Sequence, residues 1–168
     1  ARGVANAELT PELAMNIGRA AAMVPISDEV EHPTILIGKD TRLSGDMLEG
    51  ALIAGLCSVG ANVHILGVVP TPAVAYLVGK YNADAGIMIS ASHNPFEFNG
   101  IKIFSSDGCK LPDALENRIE EIVLDHVVPY ASATDENIGR VTYDTEAADL
   151  YIDHLVSAVD CDFGGVGI

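Results

Sequence analysis

Three short apolar runs set the terms for this chain: Thr34-Ile35-Leu36-Ile37-Gly38, Val63 to Val69, and Ala85 to Ile89. Each is closed by turn or polar residues, and a segment of helical length and period separates it from the next. Such runs read as buried strands alternating with helices. Helices are expected from Thr10 to Val24, Ser44 to Val59, Thr71 to about Lys80, Asp113 to about Leu124 and Asp144 to Val159, with a fourth strand from Gly100 to Phe104. Strands that alternate with helices and are apolar on both faces imply an α/β fold. The expectation is a three-layer α/β/α domain with a mixed, mostly parallel, four-stranded sheet. The third and fourth strands are joined by a loop with no helix, so that pair is expected to be antiparallel.

Local signals support these bounds. Thr10-Pro11-Glu12 places a capping hydroxyl, a proline and an acid in order at a helix start, and Thr71-Pro72 repeats the first two. Asp113 with Glu116 has the spacing of a capping box. Gly60 stands where a helix-terminating glycine belongs. The stretch from Val127 to Gly139 reads as irregular.

Charge narrows the partners. Nine Lys and Arg stand against 24 Asp and Glu, for a formal net charge of −15, and the basic residues form no run. Nucleic acid and anionic membrane surfaces both demand clustered cations, so neither fits. An anionic small molecule still fits, because one or two placed cations and a few backbone N–H groups suffice for it. Cys57, Cys109 and Cys161 are far apart and form no C-x-x-C, which points to reduced thiols and a cytoplasmic setting. No apolar stretch of membrane-spanning length occurs. The opening ARGVANAELTPE has neither a signal-peptide core nor an initiator Met, as expected of a processed chain or a portion of a longer one.

The chemistry concentrates after the third strand, in Ser90-Ala91-Ser92-His93-Asn94-Pro95. Ligands in open α/β sheets gather outside the carboxyl ends of strands. Ser92 next to His93 invites a nucleophile–base reading, but neighbours in an extended segment point to opposite sides, and G-x-S-x-G is absent. A loop serine that carries a phosphoryl group fits better, since phosphoryl transfer asks for cations and donors rather than an elaborate base. His93 and Asn94 offer donors. Lys102 alternates with the apolar Ile101 and Ile103, so it faces the other way from them, near the loop. A second strand-to-helix loop, Gly38-Lys39-Asp40-Thr41-Arg42-Leu43-Ser44-Gly45, is not a Walker A motif. Asp40 and Arg42 either brace it by an internal ion pair or supply a cation to a phosphate. His64, His126 and His154 lack ligand-like neighbours and read as structural, and the helix acids Glu116, Glu120 and Glu121 as a solvated face. A non-catalytic α/β domain that binds an anion or a partner is the reading to be weighed against catalysis.

Ile89-Ser-Ala-Ser-His-Asn-Pro95 followed by Asn99-Gly-Ile-Lys102 resembles the phosphoserine loop of the α-D-phosphohexomutase family. Arg2-Gly-Val-Ala-Asn6, Leu9-Thr-Pro-Glu-Leu13, GKDTRLSG and Leu48-Glu-Gly-Ala-Leu52 extend the resemblance over nearly the whole chain. It implies that Ser92 is the phosphoserine, that Lys102 and Arg2 handle protons or stabilise charge near the transfer, and that His93 joins the catalytic set by shaping the phosphate environment with Asn94. Ser90, Asn94 and Arg42 are implied around the phosphate. It also implies a magnesium ion on one oxygen of the Ser92 phosphate and a hexosamine 1,6-bisphosphate as activating donor and intermediate. Serine at position 90 leans toward the branch that interconverts glucosamine 6-phosphate and glucosamine 1-phosphate. Phosphomannomutase or phosphoglucomutase activity is the alternative. Family members have four domains, so the resemblance divides this chain into a first domain, 1–142, with its first strand truncated, and a linker helix entering a second, 143–168. It implies negligible mutase activity for this portion alone, and homodimers formed through it.

Overall fold

The computed structural model describes residues 1–24, 26, 30–125 and 131–159. The expectations for His126, Cys161, the first four residues of the irregular stretch and the glycine-rich tail lie outside these residues. The strands are β1 (Arg2–Val4), β2 (Thr34–Lys39), β3 (Asn62–Val68), β4 (Ala85–Ile89), β5 (Phe98–Ser105) and β6 (Val141–Tyr143). The helices are α1 (Pro11–Met23), α2 (Gly45–Cys57), α3 (Thr71–Tyr81), α4 (Asp113–Asp125) and α5 (Ala147–Ser157).

The sheet runs β1-β5-β4-β2-β3-β6. It therefore has six strands among the described residues, two more than expected. The additions are its two edges, each three residues long. At one edge Arg2, Gly3 and Val4 lie antiparallel to Gly100, Asn99 and Phe98. At the other, Val141 to Tyr143 run parallel to Val63 to Ile65, so β6 crosses the boundary expected at 142. Neither edge has an apolar run of its own; the neighbouring ladder makes it a strand. The pairs β2–β3 and β2–β4 are parallel, and β4–β5 is antiparallel as the helix-free connection requires.

Strand alternation divides the core into two layers. Ile35, Ile37, Val63, Ile65, Ile87 and Ile89 pack with α1, α2 and α4, while Leu36, Leu66 and Met88 pack with α3 and α5. The helix starts follow the sequence only in part. Thr10 accepts a hydrogen bond from the Leu13 amide at 3.3 Å, as a cap should. At α3 the cap position falls on Pro70, so Thr71 and Pro72 are already helical. At α4 the first carbonyl accepted is that of Pro112, and Asp113 and Glu116 both bind Lys110 instead of closing a capping box. Gly60, at φ +91, closes α2 as expected.

One polar cluster fastens β6 and α5 to the rest. Asp144, 8 % exposed, receives the Tyr81 hydroxyl at 2.6 Å and lies 3.2 Å from His64 Nε2, while His64 stacks on the Tyr81 ring. Burial alone would raise the Asp144 carboxyl. The bond from Tyr81, the bonds from its neighbouring backbone amides and the His64 ring outweigh this and hold it below the usual carboxylate range. Its contribution to stability is therefore present above the unfolded value and lost as pH falls through the folded one. Tyr81 is the mirror case: burial, then the Asp144 carboxylate, push its phenol up to about 12. That contribution is intact below pH ~10 and disappears as pH rises toward the folded value. Ultraviolet titration is expected to show the Tyr81 phenol ionising near pH 12, and Asp144→Asn should bring it down toward the ordinary phenol value. An unshifted phenol in the parent chain would rule out the coupling.

Candidate active site

The Ser90–Glu97 loop leaves the carboxyl end of β4, where Ser90 N still donates to Gly100 O of β5 at 2.9 Å. Gly100 is wedged there: a Cβ on it would stand 2.8 Å from Ser90 O and 3.2 Å from Ala1 O. Only glycine lets the loop, β5 and the start of the chain meet so closely. Ala91 and Ser90 are buried, Asn94 is half-buried, and Ser92 and His93 are exposed.

Ser92 adopts φ +59, the left-handed region that a non-glycine residue enters at a cost of about 1–2 kcal/mol. This overturns the expectation that Ser92 and His93 point apart, which assumed extended backbone. The turn brings Ser92 Oγ to 3.3 Å from His93 Nδ1, and the imidazole tautomer decides which of them donates. The hydroxyl therefore stands in solvent with one nitrogen base beside it, and Ser90 Oγ accepts the Ser92 amide at 3.0 Å.

The GKDTRLSG loop closes over the same region. Arg42 Nε donates to Asp40 Oδ2 at 3.1 Å, and the Arg42 amide donates to Asp40 Oδ1 at 3.0 Å. The Arg42 Nη1 group donates to Pro95 O and Phe98 O, and Nη2 to Ser92 O and Asn94 O, at 2.7 to 3.0 Å. All five guanidinium hydrogens are thus directed at this chain. Of the two roles the sequence left open for Arg42, the structure shows the brace. Asn99, fully buried, adds a second tie: its Nδ2 donates to Ser44 Oγ at 2.9 Å and its Oδ1 accepts the Gly100 amide. Ser44 thus serves Asn99 rather than capping α2. Sequence reasoning used Asn99 as a motif letter and missed this role; an Asn near the start of a largely apolar strand was the available signal.

Arg2 and Lys102 stand to one side of this loop. Lys102 pairs with Met88 across β4–β5, which puts it on the α3 face, away from Ile101 in the opposite layer. Arg2 pairs with Gly100. Together with Ser90, both line a groove of about 830 Å³, whose wall also carries Lys110, Glu116 and Glu120. The structure brings Arg2, Lys102 and Ser90 to one groove; Ser92, His93 and Asn94 are not among its lining residues. Near the other end of the loop, Lys39 is gripped by Asp46 and Glu49, each at 2.6 Å. Burial would lower its ammonium, and the two carboxylates more than reverse this, so it stays charged. Among the described residues, no group of three or more His, Cys, Asp or Glu side chains could hold a metal ion, so these residues do not make a magnesium cage by themselves. No described helix is long and apolar enough to cross a membrane.

A doubly covered α/β sheet with a braced serine loop at a strand's carboxyl end defines a phosphohexomutase-type domain. The sequence matches the family described as "Phosphoglucomutase/phosphomannomutase, alpha/beta/alpha domain I" over residues 1–127, and the chain belongs to that family. It is 53 % identical over 167 residues to the phosphoglucosamine mutase of Ruminiclostridium cellulolyticum and 55 % identical over 167 residues to that of Acetivibrio thermocellus. Each match takes in 99 % of this chain and 37 % of the relative, so the chain spans little more than a third of these curated relatives. Its fold resembles the crystal structure of a phosphoglucomutase/phosphomannomutase family protein from Burkholderia thailandensis. That match has a TM-score of 0.75 and 27 % identity, and covers 94 % of this chain and 34 % of the other.

Proposed function

We propose that this chain is the phosphoserine-bearing part of a phosphoglucosamine mutase, an isomerase that interconverts glucosamine 6-phosphate and glucosamine 1-phosphate. The observation that carries the reading is the presentation of Ser92: an exposed hydroxyl on a braced strand-end loop, in a chain whose near-full-length matches bear that name. In the proposed cycle, a phosphoryl group on Ser92 Oγ passes to the free hydroxyl of the sugar phosphate. The P–O bond to Ser92 breaks, the P–O bond to the sugar forms, the sugar hydroxyl gives up its proton and Ser92 Oγ takes one up. The resulting 1,6-bisphosphate then returns its other phosphoryl group to Ser92, with the reverse proton movement. His93, 3.3 Å from Ser92 Oγ, is placed to share the proton on that oxygen. Arg2 and Lys102 supply positive charge from the groove wall to an anionic sugar phosphate.

Magnesium, when bound, would neutralise charge on the transferring phosphoryl group. This chain would offer it one oxygen of the Ser92 phosphate, and the remaining ligands would come from elsewhere in the protein. Self-association through this domain and a cytoplasmic location belong to the same proposal; sedimentation of the chain tests the first, and a strictly monomeric species would count against it. The glucosamine reading is favoured over a mannose or glucose phosphate by the 53–55 % identity to the two phosphoglucosamine mutases, against 27 % to the Burkholderia protein.

The test is phosphopeptide mapping of the complete polypeptide after exposure to a hexosamine 1,6-bisphosphate and magnesium. Trypsin releases Tyr81 to Lys102 as one peptide with both serines. A phosphoryl group on Ser92 is the expected result. An unmodified peptide from a preparation that binds sugar phosphates would return the loop to the anion-binding reading.

A further inference from the structure

We propose that Ser90 and Arg42 are a pair of positioning residues that hold Ser92 in its left-handed conformation and so set where its Oγ points; the inference rests on Ser92 being the phosphoryl carrier. Ser92 is at φ +59, where a side chain other than glycine's is disfavoured. Such a conformation persists only where the surroundings over-determine it. The polar atoms of Ser92's backbone show how. Its N–H donates to Ser90 Oγ at 3.0 Å, and its carbonyl accepts from Arg42 Nη2 at 2.9 Å. Side chains, not a ladder or helix, grip both sides of the strained residue.

Each grip is anchored in turn. Ser90 is 5 % exposed and its own amide is bonded to Gly100 O in β5. Arg42 is 11 % exposed, oriented by Asp40, and Asp40 N donates to Ile89 O at 3.0 Å. The clamp is therefore tied to the end of β4 immediately before the loop it grips. With Asn94 O, Pro95 O and Phe98 O also accepting from Arg42, both limbs of the loop are fixed to one planar group. A lysine keeps the charge and loses that fork. Releasing either grip lets Ser92 relax toward φ below zero. The Cα–Cβ bond then turns relative to the preceding strand and carries Oγ away from its position.

Because the five guanidinium donors are spent on the chain, Arg42 acts on the loop and not on the sugar phosphate. That separates the two kinetic parameters. A positioning defect lowers the rate of transfer and leaves substrate affinity alone, whereas loss of a phosphate ligand raises KM.

The test uses the complete polypeptide with Ser90→Ala, Ser90→Thr and Arg42→Lys. Two things are measured: phosphorylation of the Tyr81–Lys102 peptide by a hexosamine 1,6-bisphosphate, and kcat and KM for glucosamine 6-phosphate. Ser90→Ala and Arg42→Lys are expected to lower kcat and the phosphorylation rate by about 100-fold, the cost of a misplacement on the order of 1 Å, with KM within about twofold. Ser90→Thr restores the hydroxyl and should recover most of the rate, which a purely steric role for Ser90 would not predict. If Arg42→Lys does not fold, the two Ser90 variants decide alone. Unchanged kcat in Ser90→Ala, an equal loss in Ser90→Thr, or a loss expressed in KM would overturn the inference while phosphorylation of wild-type Ser92 stands. A wild-type Ser92 that takes no phosphate would overturn the functional reading itself, and the inference with it.

Discussion

Ser92→Ala in the complete polypeptide is expected to reduce interconversion of glucosamine 6-phosphate and glucosamine 1-phosphate by roughly 10⁴-fold or more, as loss of a covalent carrier does. The fold should not notice. The Ser92 side chain is exposed, among the described residues its hydroxyl meets only His93 Nδ1 at 3.3 Å, and its backbone grips do not involve Oγ. Unfolding free energy is expected to stay within about 0.5 kcal/mol of the parent. Coupled assay of sugar 1-phosphate formation, alongside urea unfolding, checks both halves. Residual turnover above roughly a hundredth of the parent would place the phosphoryl group on another residue. His93→Ala should fall between Ser92→Ala and the parent, since a proton partner contributes typically about 10²–10⁴-fold.

A large effect on stability is expected at Gly55. On helix propensity alone, replacing a mid-helix glycine by alanine stabilises by about 1 kcal/mol. At Gly55 the packing reverses that sign. A Cβ there would stand 2.1 Å from Met15 O and 2.9 Å from Met15 C, both backbone atoms of α1. On the facing helix, a Cβ on Gly18 would stand 2.8 Å from Leu52 O. The two glycines allow α1 and α2 to pack backbone to backbone, and neither carbonyl can step aside without moving its helix. Gly55→Ala is expected to destabilise by about 3 kcal/mol, the upper range for overpacking. Gly50, in the same helix, is exposed, and a Cβ added there would meet nothing within 4 Å, so Gly50→Ala should stabilise by about 1 kcal/mol. Urea unfolding of the 168-residue chain reads both. Effects of the same sign would show that α1 and α2 do not pack this closely in solution.

How legible this was depended on how much of each element's identity its own residues hold. The central strands declare themselves: Ile35-Leu36-Ile37 and Ile87-Met88-Ile89 are apolar on both faces because helices cover both. Arg2-Gly3-Val4 and Val141-Thr142-Tyr143 declare nothing, since three residues carry no period and become strands only through their partners. The helix starts divided in the same way. Thr10 caps because its surroundings leave it free to do so, while Asp113 and Glu116 are taken by Lys110 and Ser44 by Asn99. The position of the serine loop could be read from the strand that ends there. Its internal geometry could not, because the period-2 rule presumes extended backbone, and the single left-handed φ at Ser92 cancels it. The bracing role of Arg42 was half visible, as an acid and a base two apart in one loop. Its four carbonyl partners come from fifty or more residues further along the chain.

The strand order has a mechanical consequence. β1 and β6 occupy opposite margins of the sheet, so tension applied between the first and last described residues passes through its ladders one after another. The two outermost ladders are three residues long, against five or six for those between them. Under load the margins peel first. The four inner strands, with the serine loop at the end of β4 and its arginine clamp, would remain assembled after both selvedges of the cloth had frayed.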